Sequence, residues 1–154
     1  MPQYKEGKMD AKPFKFAVVA SRVNSIVTTP LLEGAVDVLV RHGAADSNIT
    51  VIKVPGSFEI PFAVRKAAQS GKYSAVIAIG SVIRGQTSHF DFLASEVSSG
   101  LSSAAADTGV PVTDGVVTTD TLEQAIERAG GKVGNRGSEA ALSAIEMASL
   151  MKSL

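Results

Sequence analysis

Hydrophobic positions along the chain fall into two alternating kinds of segment. Short runs rich in β-branched residues, at 16–20, 49–54, 75–79 and about 110–117, are bounded by Gly and Pro and predict strands. The run at 75–79 has no polar alternation, as expected of a central strand covered on both faces. Between the runs lie stretches of helical period. Leu31, Leu32, Ala35, Val36, Leu39 and Val40 form one stripe, with Pro30 suited to the first helical position and Gly43 to the C-terminal stop. Phe90, Leu93, Ala94, Val97, Leu101, Ala104 and Ala105 repeat the pattern behind the capping candidates Thr87 and Ser88. Asp120-x-x-Glu123 and Thr121-x-x-Gln124 have capping-box spacing and predict a helix through about Ala129. In the last predicted helix, about 138–151, apolar residues go nearly all the way round, so it requires burial on more than one side. A second copy of the chain is the natural partner. The alternation predicts βαβ units around a parallel sheet, in one domain over 1–154 with residues 1–13 as an N-terminal extension.

Composition narrows the function classes. The 154 residues carry 15 Lys+Arg against 15 Asp+Glu, a balance that argues against binding nucleic acid or an anionic membrane. Apolar residues are 45% and charged residues 19%, enough for a packed core. Cys is absent, which excludes disulfides, thiolate nucleophiles and Cys-based metal sites, and two His argue against a dedicated zinc site. The polar N-terminus has no signal-peptide run and no segment approaches the roughly 20 apolar residues of a membrane span, so a cytoplasmic protein is expected. A mean hydropathy of +0.19 in a small neutral domain favours self-association. With aromatics at 5% and no Trp, Phe58 and Phe90 stand out as aromatics beside polar motifs.

In open parallel sheets ligands bind outside the carboxyl ends of the strands, and polar segments follow each predicted strand here. They are residues 21–25, 55–59, 80–89 and 115–120, expected to converge. Gly85-Gln86-Thr87-Ser88-His89 runs from a Gly turn into a helix start, where free N–H groups and the positive dipole end favour an anion such as phosphate. No GxxxxGK[ST] loop is present, and no GxGxxG follows the first strand, so a nucleotide site has no support. At a helix N-terminus His89 would be held neutral and able to exchange a proton near pH 7, although a solvated or capping histidine is the commoner case. His42, at a helix C-terminus, reads as a cap. Glu59 follows a Pro-Gly-Ser turn and suits either a hydroxyl acceptor for a sugar or polyol or an ordinary first-turn carboxylate. Arg128, from spacing alone, is a helix-surface partner of Glu123 or Gln124.

Four strings, Val54-Pro55-Gly56-Ser57-Phe58-Glu59-Ile60-Pro61, Val82-Ile83-Arg84-Gly85-Gln86-Thr87-Ser88-His89-Phe90, the run from Thr118 to Gly130, and Gly134-Asn135-Arg136-Gly137, occur in order. Together they resemble the lumazine synthase family over nearly the whole chain. The resemblance implies a flavodoxin-like three-layer α/β/α sandwich with a central four-stranded parallel sheet. The reaction it implies condenses 5-amino-6-(D-ribitylamino)uracil with 3,4-dihydroxy-2-butanone 4-phosphate to 6,7-dimethyl-8-ribityllumazine in riboflavin biosynthesis, with no metal or cofactor. It also implies a homo-oligomer, a pentamer or an icosahedral shell of pentamers, and riboflavin synthase as a possible partner. Carried over by position, His89 transfers protons, Gly85, Gln86 and Thr87 cradle the phosphate, and Arg128 grips it from a neighbouring subunit. Ser57, Phe58 and Glu59 contact the ribityl chain, Ser81, Val82 and Ile83 follow the pyrimidine edge, and Asn24 is a polar site residue. Arg136 stands where Lys is usual. Val23 and Asp114 stand where the family usually has aromatics, Val23 at the position that stacks on the pyrimidine. Those two departures support an alternative, a shell-forming or flavin-binding homologue with weak or no synthase activity.

Overall fold

The computed structural model describes residues 1–154. Four parallel strands, β1 (Phe16–Ser21), β2 (Ile49–Val54), β3 (Ala75–Ile83) and β4 (Val112–Thr119), form a sheet in the order β2-β1-β3-β4. β1 is buried throughout and β3 along all but its last residue, as their unbroken apolar sequences require. Helices α1 (Ser25–Arg41) and α5 (Arg136–Met151) pack on one face of the sheet, and α2 (Ile60–Gln69) and α3 (His89–Thr108) on the other. Each face has its own apolar core, around Leu31, Ile77 and Ile145 on one side and Ile60, Val76 and Val97 on the other. The result is the expected three-layer α/β/α sandwich. The chain passes from β1 outward to β2 and then crosses to β3, so the connection changes direction between β1 and β3, where such sheets open a crevice.

Several boundaries differ from the sequence reading. α1 begins at Ser25 and carries Pro30 in its interior. Asn24, in the left-handed region at φ 58°, turns the chain directly from β1 into the helix, and its carbonyl accepts from the Val27 and Thr28 N–H groups at 2.8 and 3.0 Å. The C-terminal stop is as expected: Gly43 at φ +103° lets its N–H reach Val40 O while Ala44 N–H reaches Leu39 O, a Schellman closure. His42 is the C-cap, its Nδ1 2.7 Å from Val38 O. The helix α2 had no counterpart in the periodicity reading.

β3 and β4 run further than their apolar cores suggested. Pairing of Ser81 with Val117, Val82 with Thr118 and Ile83 with Thr119 draws residues 81–83 and 115–119 into the sheet, so they are strand rather than loop. The capping box at Thr121 and Gln124 forms, but α4 (Leu122–Glu127) stops before Ala129. Residues from Ala129 onward make a small antiparallel hairpin, β5 (Ala129–Gly131) and β6 (Gly134–Asn135). Asn135 then caps α5, its Oδ1 accepting from Ser138 N–H at 3.0 Å while its Nδ2 donates to Pro30 O. α5 buries the stripe Ala140, Ala141, Ala144, Ile145 and Ala148 within the chain, and the N-terminal segment lies beside it, Lys8 N–H donating to Ser149 Oγ at 2.9 Å. Leu142, Met147 and Met151 remain at the surface.

Candidate functional site

The crevice at the carboxyl ends of β1, β2 and β3 holds a cavity of about 430 Å³. Val23 and Asn24 enter from the turn after β1, and Gly56, Ser57, Phe58 and Glu59 from the turn after β2. Ser81, Val82 and Ile83 form its wall from the end of β3, while Gly85, Thr87, His89, Phe90 and Leu93 come from the following turn and the start of α3. Gln86, in the same turn, is exposed and does not line the cavity.

Local chemistry explains why these residues meet. Asn24 makes no side-chain cap; its Nδ2 reaches Ser81 O at 3.4 Å and ties the β1 turn to β3. Ser57 Oγ donates to the same carbonyl at 3.5 Å. Gly80 permits the β2 turn to lie so close, since a Cβ there would come within 2.7 Å of Ile60 Cδ1 and 3.3 Å of Ser57 Oγ. The cavity wall carries an unsatisfied group: Ser81 is 3% exposed and its hydroxyl has no partner. A buried hydroxyl without a hydrogen bond costs about 1–3 kcal/mol. Glu59 occupies the N-cap position of α2, as its first-turn reading requires, yet its carboxylate makes no capping bond. It is left available as an acceptor in the cavity. His89 is the first residue of α3, exposed, with its backbone N–H on Thr87 Oγ1 at 3.3 Å and its imidazole unbonded. Ser88 holds the cap position without a side-chain cap bond.

The fourth segment does not line this cavity, although Thr118, Thr119 and Asp120 meet Phe90 and Arg128 in a smaller pocket. Asp114, Arg128 and Arg136 line a separate hollow of about 350 Å³, together with Val116, Val117, Thr118, Val133 and Glu139. β4 is an edge strand, so the hollow opens along its unpaired side between the hairpin and α5. Arg128 is paired with neither Glu123 nor Gln124; the Gln124 carbonyl is taken up by the Asp120 and Thr121 N–H groups at 3.0 and 3.2 Å. Arg136 Nη1 lies 3.6 Å from Glu139 Oε2. Asp114 Oδ1 accepts from Val116 N–H at 2.9 Å, so one of its oxygens is already engaged by its own strand.

The family model for 6,7-dimethyl-8-ribityllumazine synthase matches residues 13–152. The chain belongs to the lumazine synthase family. Of the residues that the resemblance selected, those numbered below 90, Gln86 apart, share the crevice, and Asp114, Arg128 and Arg136 share the hollow. Three cavity residues escaped the list. Gly56 and Phe90 stand inside quoted motifs, and Leu93 lies four positions after His89 and so on the same helix face. No helix is long and apolar enough to cross a membrane.

Proposed function

We propose that this member of the lumazine synthase family is a 6,7-dimethyl-8-ribityllumazine synthase, one domain over residues 1–154, acting on 5-amino-6-(D-ribitylamino)uracil and 3,4-dihydroxy-2-butanone 4-phosphate. The observation that carries this reading is the crevice, where a helix-start histidine and an uncapped carboxylate line one cavity with Asn24, Ser57 and Thr87. Ser81 supplies a hydrogen-bonding group for the pyrimidine edge, and Glu59 with Ser57 accepts or donates to ribityl hydroxyls beside Phe58. The turn at Gly85, Gln86 and Thr87, opening α3, faces the phosphate with its N–H groups. The 5-amino group attacks the ketone, the carbinolamine loses water to an imine, loss of phosphate with the C3 proton leaves an enol that tautomerises to a new ketone at C3, and attack of the ribityl-bearing nitrogen on that ketone closes the ring with loss of a second water. Each stage moves a proton, and His89 is the group in the cavity suited to carry it.

Arg128 and Arg136 serve the same reaction from a second copy. The apolar side chains Val23 and Phe58 line the crevice and are exposed, Phe58 to 69%, and Val133 in the hollow is exposed too, as are Leu122 and Ile126 on α4. Two unlike patches on one chain make a head-to-tail contact, which closes into a ring when the rotation allows. Such a contact would bring Arg128 of one copy to the phosphate turn of the next and give the outer side of α5 a partner. A pentamer, and a shell of pentamers, is the assembly this reading favours, with riboflavin synthase as a candidate partner and the cytoplasm as its location. Mixing the protein with both substrates should produce the absorbance and fluorescence of the lumazine; a protein that binds the pyrimidine or a flavin but yields no lumazine would be the non-synthase homologue instead.

A further inference from the structure

We infer that Arg84 is a positioning residue for this reaction, a brace that holds the turn at 85–88 and the first turn of α3, and with them His89, against the cavity. The inference rests on the synthase reading above. Arg84 directly follows β3 and its guanidinium joins three elements. Its Nε donates to Asp120 Oδ1, just beyond β4, at 2.8 Å, and an Nη donates to Asp91 Oδ1 on α3 at 3.5 Å. Its Cζ lies 4.5 Å from the centre of the Phe90 ring, the residue after His89 and itself part of the cavity wall.

A single exposed ion pair contributes little to stability. This one matters because the turn has few other ties. The Arg84 N–H donates to Thr119 O at 2.9 Å, the last bond of the sheet. Beyond it the hydrogen bonds stay inside the turn, from His89 N–H to Thr87 Oγ1 and from Asp91 N–H to Ser88 O at 3.1 Å. Residues 84–89 are all exposed, and a Cβ on Gly85 would meet nothing within 4 Å. The guanidinium is therefore the polar link from the start of α3 to the body of the domain. The hydrogen bond it donates to Asp120, with the charges of Asp91 and Asp120, holds it above the ordinary arginine range, so it is a permanent cation. On its far side Asp120 N–H donates to Gln124 Oε1, the oxygen that also closes the capping box of α4. That helix ends at Arg128. The brace thus connects the helix that presents His89 with the helix that presents Arg128. A planar fork stacked on an aromatic ring can serve two carboxylates in this way, and a lysine ammonium cannot.

The test is steady-state kinetics on Arg84→Ala, Arg84→Lys and Arg84→Ala/Asp120→Ala, beside hydrogen exchange of peptides covering 84–92, all on the assembled protein. Arg84→Ala should lower kcat about 10- to 100-fold, as a small misplacement of a reacting group does, with KM for the pyrimidine changed less than about threefold. Arg84→Lys should recover only part of the loss, and adding Asp120→Ala should cost little more, because both changes cut the same link. Exchange should quicken over 84–92 alone. A kcat within twofold of wild type would overturn the inference, as would faster exchange spread over the whole chain, which would make Arg84 a residue of the fold. Absence of turnover in the wild type would instead refute the synthase reading. Exchange over 84–92 then decides whether Arg84 braces the turn: local acceleration supports the brace and no change overturns it.

Discussion

The crevice and the hollow along β4 are both lined by side chains from several elements, but they are built to different degrees. In the crevice the turns after β1 and β2 are fastened to one carbonyl of β3, Ser81 O, by Asn24 and Ser57, and the histidine stands at the start of a 20-residue helix. One chain therefore assembles by itself the crevice that we propose holds the pyrimidine, the ribityl chain and the proton-transfer group. The hollow is fastened through its backbone, Arg136 N–H donating to Arg128 O at 2.8 Å, but its cations are left open. Arg128 has no side-chain partner, Arg136 only a 3.6 Å contact with Glu139, and Val133 in its lining is exposed, as are Leu122 and Ile126 on α4. A charged group left unpaired beside exposed apolar side chains suits a surface that meets another molecule. The difference fits the reading proposed above, in which the crevice is a pocket completed within one chain and the hollow is a surface that meets another copy.

Substitutions can sharpen that contrast. His89→Ala should have the largest effect, lowering turnover by roughly 10²- to 10⁴-fold with the fold intact by circular dichroism. A loss below about threefold would return His89 to a solvated cap. Arg128→Ala should cost about 10- to 150-fold in KM for the butanone phosphate or in turnover, the range of a charge-assisted hydrogen bond, and should leave binding of a ribitylaminouracil analogue unchanged. Equal weakening of both substrates would mean that Arg128 supports the fold rather than the phosphate. Val23→Phe is the smallest change. Adding a stacking ring at the mouth of the crevice should tighten the analogue roughly 2- to 12-fold by calorimetry. Unchanged affinity would indicate that Phe58 or Phe90, which line the same cavity, already covers the pyrimidine face.

The parts of this architecture that were legible from sequence are those set by local pattern. Strand cores, the stripe of α1, the Thr121 and Gln124 box and the stop at Gly43 all follow from periodicity or cap chemistry. Pro30 suits a helix start, yet it lies inside α1 because the left-handed Asn24 begins the helix earlier. The ten-residue α2, with its stripe of Ile60, Val64, Ala67 and Ala68, has no counterpart in the sequence reading, although proline is tolerated in a first turn. β3 was cut short at Ile79 because Gly80-Ser81 has turn chemistry, while cross-strand pairing to β4 keeps it extended to Ile83. The crevice residues were found from their position after strands and their motifs. The separation of Asp114, Arg128 and Arg136 was not visible, since spacing along one chain says nothing about which face an edge strand leaves open. The resemblance alone placed Arg128 in a neighbour's site.

The central claim is that a working site combines the crevice of one copy with the hollow of another. Its most direct test is to co-express His89→Ala and Arg128→Ala chains under different tags, isolate assemblies carrying both, and measure turnover per chain. Each parent alone should be nearly inactive. In mixed rings, about one quarter of the contacts should join an intact crevice to an intact hollow, so activity should rise to roughly that fraction of wild type. Mixed assemblies no more active than the sum of the two parents would contradict a shared site and place His89 and Arg128 in the service of the same chain.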